Sequence, residues 1–583
     1  MNAAVKRLCA VAVVALCLSA CAGIPTSGPV SKVAADRGFG QSTVLYAPAG
    51  PTRGASPQDI VRGYLDAMLA YPMTTGTASA FLTPEAVKQW HSLAGVRVYS
   101  APQVAAPVTS APRSADQPDR RVDHVTVQVS VVNESRLNEQ GRYTEMSGNA
   151  EITFRLSQVK GQWRITNPQD GLLVNRKFFT DYFRPFNVYM FDPPGRRLVP
   201  VPVYVAVGDQ LATALVTSLA RGPAPDPDGT MRTYVPPLKT LRPSVPLTDD
   251  GITDVEFDEE FGNLTKFAQN RLAAQIVWTL RQVPDINAVR LVGGTTTLSP
   301  NGLTAEPISS WGAYGPSIAR GQAYALSRDR VVQIDEGHVA PLTGAWGKNA
   351  RGADQIAVTS DGVAAVLGGG SQVRVTNRKG GSPRTISGSR FIAPRWDDDG
   401  NLWLTDWIGG KTRIRISHGT LLTALPIGRL ADLDVATFAL SPDTSRYVVT
   451  GKTGRTTGIY VGAVKRDAKD RVVGLTAPRR LHTSVEHPRS ATWASGTRVS
   501  FLGDSESGRQ VYTAIIDGSD TTGGVAGGGA LLPTPDADTL VLGTAEAAPR
   551  YATDSKHRLW FLPDGGAWHE VDLRGVTGLT YGH

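Results

Sequence analysis

Cysteine is scarce and unevenly placed. The 583-residue chain has three, Cys9, Cys17 and Cys21, and none in the more than five hundred residues that follow. A disulfide framework is therefore excluded, and so are cysteine-rich zinc sites. Long apolar runs are missing too. Leu8–Leu18 is the longest near the start, well short of the roughly 20 residues a membrane-spanning helix needs. The nine histidines are scattered, and only His482 and His487 lie close together. There is no Gly-x-Ser-x-Gly elbow, no His-Glu-x-x-His pair and no phosphate loop ending in Gly-Lys-Ser/Thr. Basic residues form no long block. The formal charge of +8 falls to +6 without Lys6 and Arg7, which argues against nucleic-acid binding and leaves room for weak attraction to anionic headgroups or wall polymers.

What is present begins with a secretory pattern. Lys6 and Arg7 precede the apolar run, and small residues follow it. An ordinary signal needs no cysteine at its end, but here Leu18-Ser19-Ala20 leads into Cys21. That quartet resembles the bacterial lipobox. The resemblance implies a signal peptide over 1–20 and lipidation of Cys21 (an N-palmitoyl, S-diacylglycerol cysteine); a plain signal with an incidental cysteine is the alternative. Two or more acyl chains hold a protein stably on a membrane where one is marginal. Residues 21–55 are rich in Gly, Pro, Ser and Ala without apolar period and read as a lipidated tether. As a coil, such a segment spans roughly 30–35 Å.

A first domain is expected over 56–185. Ser56 caps a helix with Pro57 at its first position, and Ile60, Val61, Tyr64, Leu65 and Met68 repeat at helical spacing. Thr83 caps a second helix. Val125, Val127, Val129 and Val131 alternate in a strand, and a hairpin turns at Lys160-Gly161. Helices followed by a curved antiparallel sheet resemble the NTF2-like α+β cone, a shape that often holds a pocket.

The second domain is expected over 186–298. A strand precedes a helix with Asp209 as cap, Leu211, Leu215, Val216 and Leu219 as its buried stripe, and Gly222-Pro223 as its stop. A hairpin is expected around Asp250-Gly251, and a second helix carries Leu272, Ile276, Val277 and Leu280 toward a Pro284 turn and a strand. The ordered motifs Leu219–Pro223, Val255–Asp258 and Gln275–Leu280 resemble the GerMN domain, also α+β, which implies a non-catalytic interaction module.

From about 305 to 583 long helices disappear and a phrase recurs: apolar strand, tight polar turn, second strand. Its turns hold Asp361-Gly362, Asp399-Gly400, Pro442-Asp443, Ser495-Gly496 and Asp554. Their spacing suits propeller blades, and the length predicts five to seven of them. Lipobox, NTF2-like domain, GerMN domain and all-β propeller, in that order, resemble the actinobacterial LpqB lipoproteins. That resemblance implies a non-enzymatic, outer-face membrane lipoprotein assisting the MtrA–MtrB two-component system through the ectodomain of the sensor kinase MtrB, with no cofactor or metal.

Rival readings attach to several residues. Asp397 and Asp399 could begin a calcium loop but lack the later glutamate, so a blade turn fits better. Asp254, Glu256, Asp258, Glu259 and Glu260 could pair as glycosidic carboxylates, yet alternation with Val255 and Phe257 points several of them outward. Trp396, Trp403, Trp407 and Trp493 could stack on sugars or pack blades; an envelope glycan-binding or glycan-acting protein is the rival function.

Overall fold

The computed structural model describes residues 45–109, 124–223, 226, 228–236, 245–246, 250–257, 264–315, 322–377, 382–483, 485–506, 508–523, 536–542, 549–563 and 567–582. The signal, Cys21 and the first part of the expected tether lie outside them. Residues 45–55, also expected as tether, are mostly exposed but touch the body at Tyr46 and Ala55. Tyr46 and Tyr71 exchange two backbone hydrogen bonds, of 3.0 and 2.9 Å. Paired backbone groups and a neighbouring apolar core hold this stretch where composition alone reads as linker.

The N-terminal domain follows its sequence pattern closely. Helix α1 (Pro57–Ala67) is capped by Ser56, whose hydroxyl accepts from the Asp59 N–H, and α2 (Pro84–Gln89) by Thr83 in the same way. Strand β1 (Val96–Val104) pairs with β2 (His124–Leu137), which pairs with β3 (Asn149–Val159) and then β4 (Gln162–Ile165). The other edge of β1 pairs in parallel with β5 (Leu172–Asn175). Lys160 and Gly161 both have positive φ, the geometry of the tightest hairpin turns. The alternating valines of β2 all face inward onto α1. The concave side is filled: Tyr64 packs edge-on against Phe154 with centroids 5.9 Å apart, and Trp90 closes in at 6.0 Å.

Helix α3 (Arg176–Tyr182) runs without a linker into β6 (Phe183–Phe191), which forms a long hairpin with β7 (Leu198–Ala206). This hairpin belongs to two cores. Its Phe183 and Tyr204 pack with Leu69, Tyr71, Val98 and Phe178 of the first domain, while Val188, Met190 and Val201 pack on the helices of the second. Those helices are α4 (Leu211–Ala220) and α5 (Lys266–Leu280). One expectation is corrected here. Asp209 does not cap α4: Gln210 occupies that position with no side-chain cap bond, because the chain enters the helix through a turn closed by the Leu211 N–H on the Gly208 carbonyl. Strand β8 (Ile252–Phe257) pairs in parallel with β9 (Ala288–Gly293), with α5 as the crossover; the other arm of the expected hairpin, residues 247–249, lies outside the described residues. Gly222 follows the last turn of α4 with φ of 74°, a conformation that favours glycine.

Among the described residues, 323–581 form six sheets, each a blade of at least four strands in meander order. The innermost strands are Thr577–Tyr581, Ala353–Val358, Arg395–Trp396, Asp434–Leu440, Glu486–Trp493 and Ala537–Leu542 for blades 1 to 6. The ring closes by exchange: the last strand, Thr577–Tyr581, is the inner strand of the blade whose other three come from residues 323–341. The recurring phrase joins the first and second strands in blades 2 to 5. In blade 6 the Asp554 turn joins the second and third, at the other end of the blade.

Candidate functional site

The most densely built polar region is the junction where the first two domains meet the propeller. The propeller presents the turns between its first and second, and its third and fourth, strands on blades 3, 4 and 5. At its centre is Arg197, on the turn between β6 and β7. Its guanidinium donates to Asp399 at 2.6 and 2.7 Å and to Asp470 at 2.7 Å, so one side chain bridges blades 3 and 4. From within blade 4, Arg466 reaches the same two carboxylates at 3.1 and 3.5 Å. Lys465 pairs with Asp228 at 2.6 Å. Burial works against the Arg197 charge, but hydrogen bonding to Asp470 and the neighbouring carboxylates outweigh it, so the group is held above its usual range. Apolar contact adds to this: a Cβ on Gly496 of blade 5 would fall 2.5 Å from Pro200 of β7.

A second charged group lies where all three domains converge. Arg142 of the first domain, Asp226 of the second, and Arg446, Arg479 and Asp517 of the propeller act on one another electrostatically. Burial pushes Arg446 down to about 10 and raises Asp517. Tyr204 is raised by burial as well, against a hydrogen bond with Ser519 of blade 5. Buried ion pairs such as Arg197–Asp470 and Arg466–Asp470 add little net stability but cost several kcal/mol when one partner is lost, typically about 3–5. The junction thus fixes one mutual orientation of the domains.

The singled-out residues fall in different places. Cys21 lies outside the described residues, as do Asp258, Glu259 and Glu260. Asp254 pairs with Arg290 at 3.1 Å and Glu256 is exposed. Asp397 is a turn residue: its carboxylate accepts from the N–H groups of Asp399 and Asn401, the Asn401 amide and the Trp403 indole, at 2.9 to 3.1 Å. Asp399 faces the junction. Trp403 and Trp493 are buried in blade cores; Trp407 lies under Arg390, 4.7 Å from guanidinium carbon to ring centre. His482 is exposed beside Glu145 of the first domain. Among the described residues no group of three His, Cys, Asp or Glu side chains is placed to hold a metal, and no helix is long and apolar enough to cross a membrane. Sequence reading missed Arg197, Arg466 and Asp470, because a Gly-Arg-Arg turn carries no sign of what it meets across more than two hundred residues.

Comparison with known families resolves the order of these domains. The family described as the N-terminal domain of lipoprotein LpqB matches residues 50–180, the sporulation and spore germination family 187–296, and the LpqB beta-propeller domain 329–578. The chain belongs to the LpqB lipoprotein family. Lipoprotein LpqB of Cutibacterium acnes is 23% identical over 99% of both chains. The Thermobifida fusca protein is 26% identical over 89% of this chain and 82% of its own, and that of Mycobacterium bovis BCG 27% over 82% and 83%. TolB of Acinetobacter baumannii, a solved structure, aligns with TM-score 0.34 and 13% identity over 45% of this chain and 66% of its own, too low to carry an inference. Within this LpqB family chain, the second match covers the hairpin, α4 and α5. There Gln275 gives the Gln275–Leu280 motif a physical role. Fully buried, it accepts from the Tyr234 N–H at 2.7 Å and donates to the Tyr189 carbonyl at 2.8 Å, tying two segments to α5.

Proposed function

We propose that the protein is a lipid-anchored accessory of a sensor kinase of the MtrB type, acting without catalysis on the outer face of the membrane in support of envelope homeostasis and division. Cys21 carries the anchor. The N-terminal and GerMN-like domains contact the kinase ectodomain, and the propeller is the platform welded behind them. The observation that carries this reading is the end-to-end family match joined to the cysteine at the close of the apolar run. The junction supports it, because Arg197 holds the propeller against the same domains that lie nearest the anchor along the chain. Anchoring confines both proteins to one layer, so a weak contact is occupied through its high effective concentration. The glycan reading loses ground with Trp403 and Trp493 buried. Cys21→Ala tests the proposal: it should abolish acylation seen by mass spectrometry and sharply reduce co-isolation of the kinase from membranes. Normal acylated protein, or undiminished co-isolation, would overturn it.

A further inference from the structure

The stretch where the described body begins is unusually apolar. The Tyr46–Tyr71 bridge joins the segment that begins at Leu45 to the one that runs on into Pro72 and Met73. Leu45 is 73% exposed, Tyr46 43% and Met73 37%, and Pro72 is exposed beside them. No charged side chain occurs between Arg37 and Arg53, or between Asp66 and Glu85. The tip is also firmly held. The Tyr71 hydroxyl donates to the Val207 carbonyl at 2.5 Å, and its ring stacks on Tyr182 at 4.3 Å. An exposed, charge-free apolar tip is thus fixed to the seam between the first two domains.

We infer that this tip is a lipid-contact surface that seats in the interfacial layer of the bilayer and sets the orientation of the whole body. The inference rests on the anchored reading given above. Three arguments favour lipid as the occupant. The tip is the part of the described body nearest along the chain to Cys21, with 23 residues between Cys21 and Leu45; fully extended, such a segment reaches about 80 Å. Lipid accepts Leu and Met side chains with no partner hydrogen bonds to satisfy, and the absence of charge avoids the cost of stripping water from ions. Tyrosine favours the headgroup level, where its ring and hydroxyl meet different media. The patch is also too small for a stable protein–protein interface, which buries on the order of 800 Å² per partner. A contact this small suffices when the anchor already supplies attachment.

The chain from Cys21 onward contains one cysteine, so it can be coupled to a maleimide-headgroup lipid in vesicles of phosphatidylglycerol and phosphatidylethanolamine. Photoreactive benzoylphenylalanine is placed at Leu45, at Met73 or, as control, at Leu421, which is 67% exposed on the outer strand of blade 3. The expected result is lipid adducts at 45 and 73 several-fold above those at 421, with thermal midpoints unchanged. Equal lipid adducts at all three positions would overturn the inference. So would adducts at 45 and 73 that join the protein to a second copy of itself, or to added kinase ectodomain. Because the coupling is chemical, the outcome does not depend on whether Cys21 is acylated in the cell, which mass spectrometry decides separately.

Discussion

Three aspartates show how single side chains build the blade turns. Asp397 collects four hydrogen bonds, including the Trp403 indole six residues on. Asp554 repeats the design: the N–H groups of Lys556 and Arg558, the Arg558 guanidinium and the Trp560 indole all donate to it, at 2.8 to 3.2 Å. Asp443 instead gathers the hydroxyls of Ser441 and Ser445 and the Ser445 N–H. Burial alone would raise the Asp554 carboxyl, but the bonds from Arg558 and Trp560 outweigh it and hold the group below its ordinary value. A carboxyl lowered in the folded state stabilises the fold above its unfolded pKa of about 4 and loses that contribution as pH falls through the folded value. Asp554→Ala should therefore lower propeller stability by about 2–3 kcal/mol at pH 7, since several buried donors lose a charged acceptor. The difference from wild type should shrink below about pH 4. Calorimetry of the full chain at both pH values checks this; a variant equally stable at pH 7 would refute the turn's role.

At the scale of elements, legibility depended on whether the signal was local. Helix α1 was readable because Ser56, Pro57 and the apolar spacing all lie within its own turns. The valines of β2 and the Lys160-Gly161 turn were readable for the same reason. The cap at Asp209 failed because the approach of the chain to α4, not the nearest acidic residue, decides which position is the cap. The parallel pairing of β8 with β9 was not readable, because that partner lies beyond a whole helix and leaves no turn signature. The phrase around Asp554 looks like the others but sits one strand further out, since the ladder assigns strands by pairing and not by motif. Ring closure was equally invisible: nothing in Thr577–Tyr581 marks it as the partner of Ala323–Ser327. Its loss should be decisive, because it would leave the Ala323–Ser327 edge of blade 1 unpaired. A chain truncated after Gly575 should melt at a clearly lower temperature and be cut early by protease within residues 323–341. An unchanged midpoint and cleavage pattern would show that the exchanged strand is dispensable.

At the scale of the molecule, the first two domains share a hairpin and a core, and the propeller is pinned to them through Arg197, Asp399, Asp470 and Arg466. The sequence order of domains was readable from motifs, while the junction that makes them one body was not, because its ion pairs join residues 196–228 to residues 399–470. One consequence concerns partnership. On the proposed function, a kinase ectodomain rooted in the same membrane would meet first the domains closest along the chain to the anchor. The most direct test is crosslinking with mass spectrometry on intact membranes holding the anchored protein and the kinase. The account predicts that crosslinks to the kinase ectodomain map to residues 56–298. Crosslinks confined to residues 305–583 would contradict it.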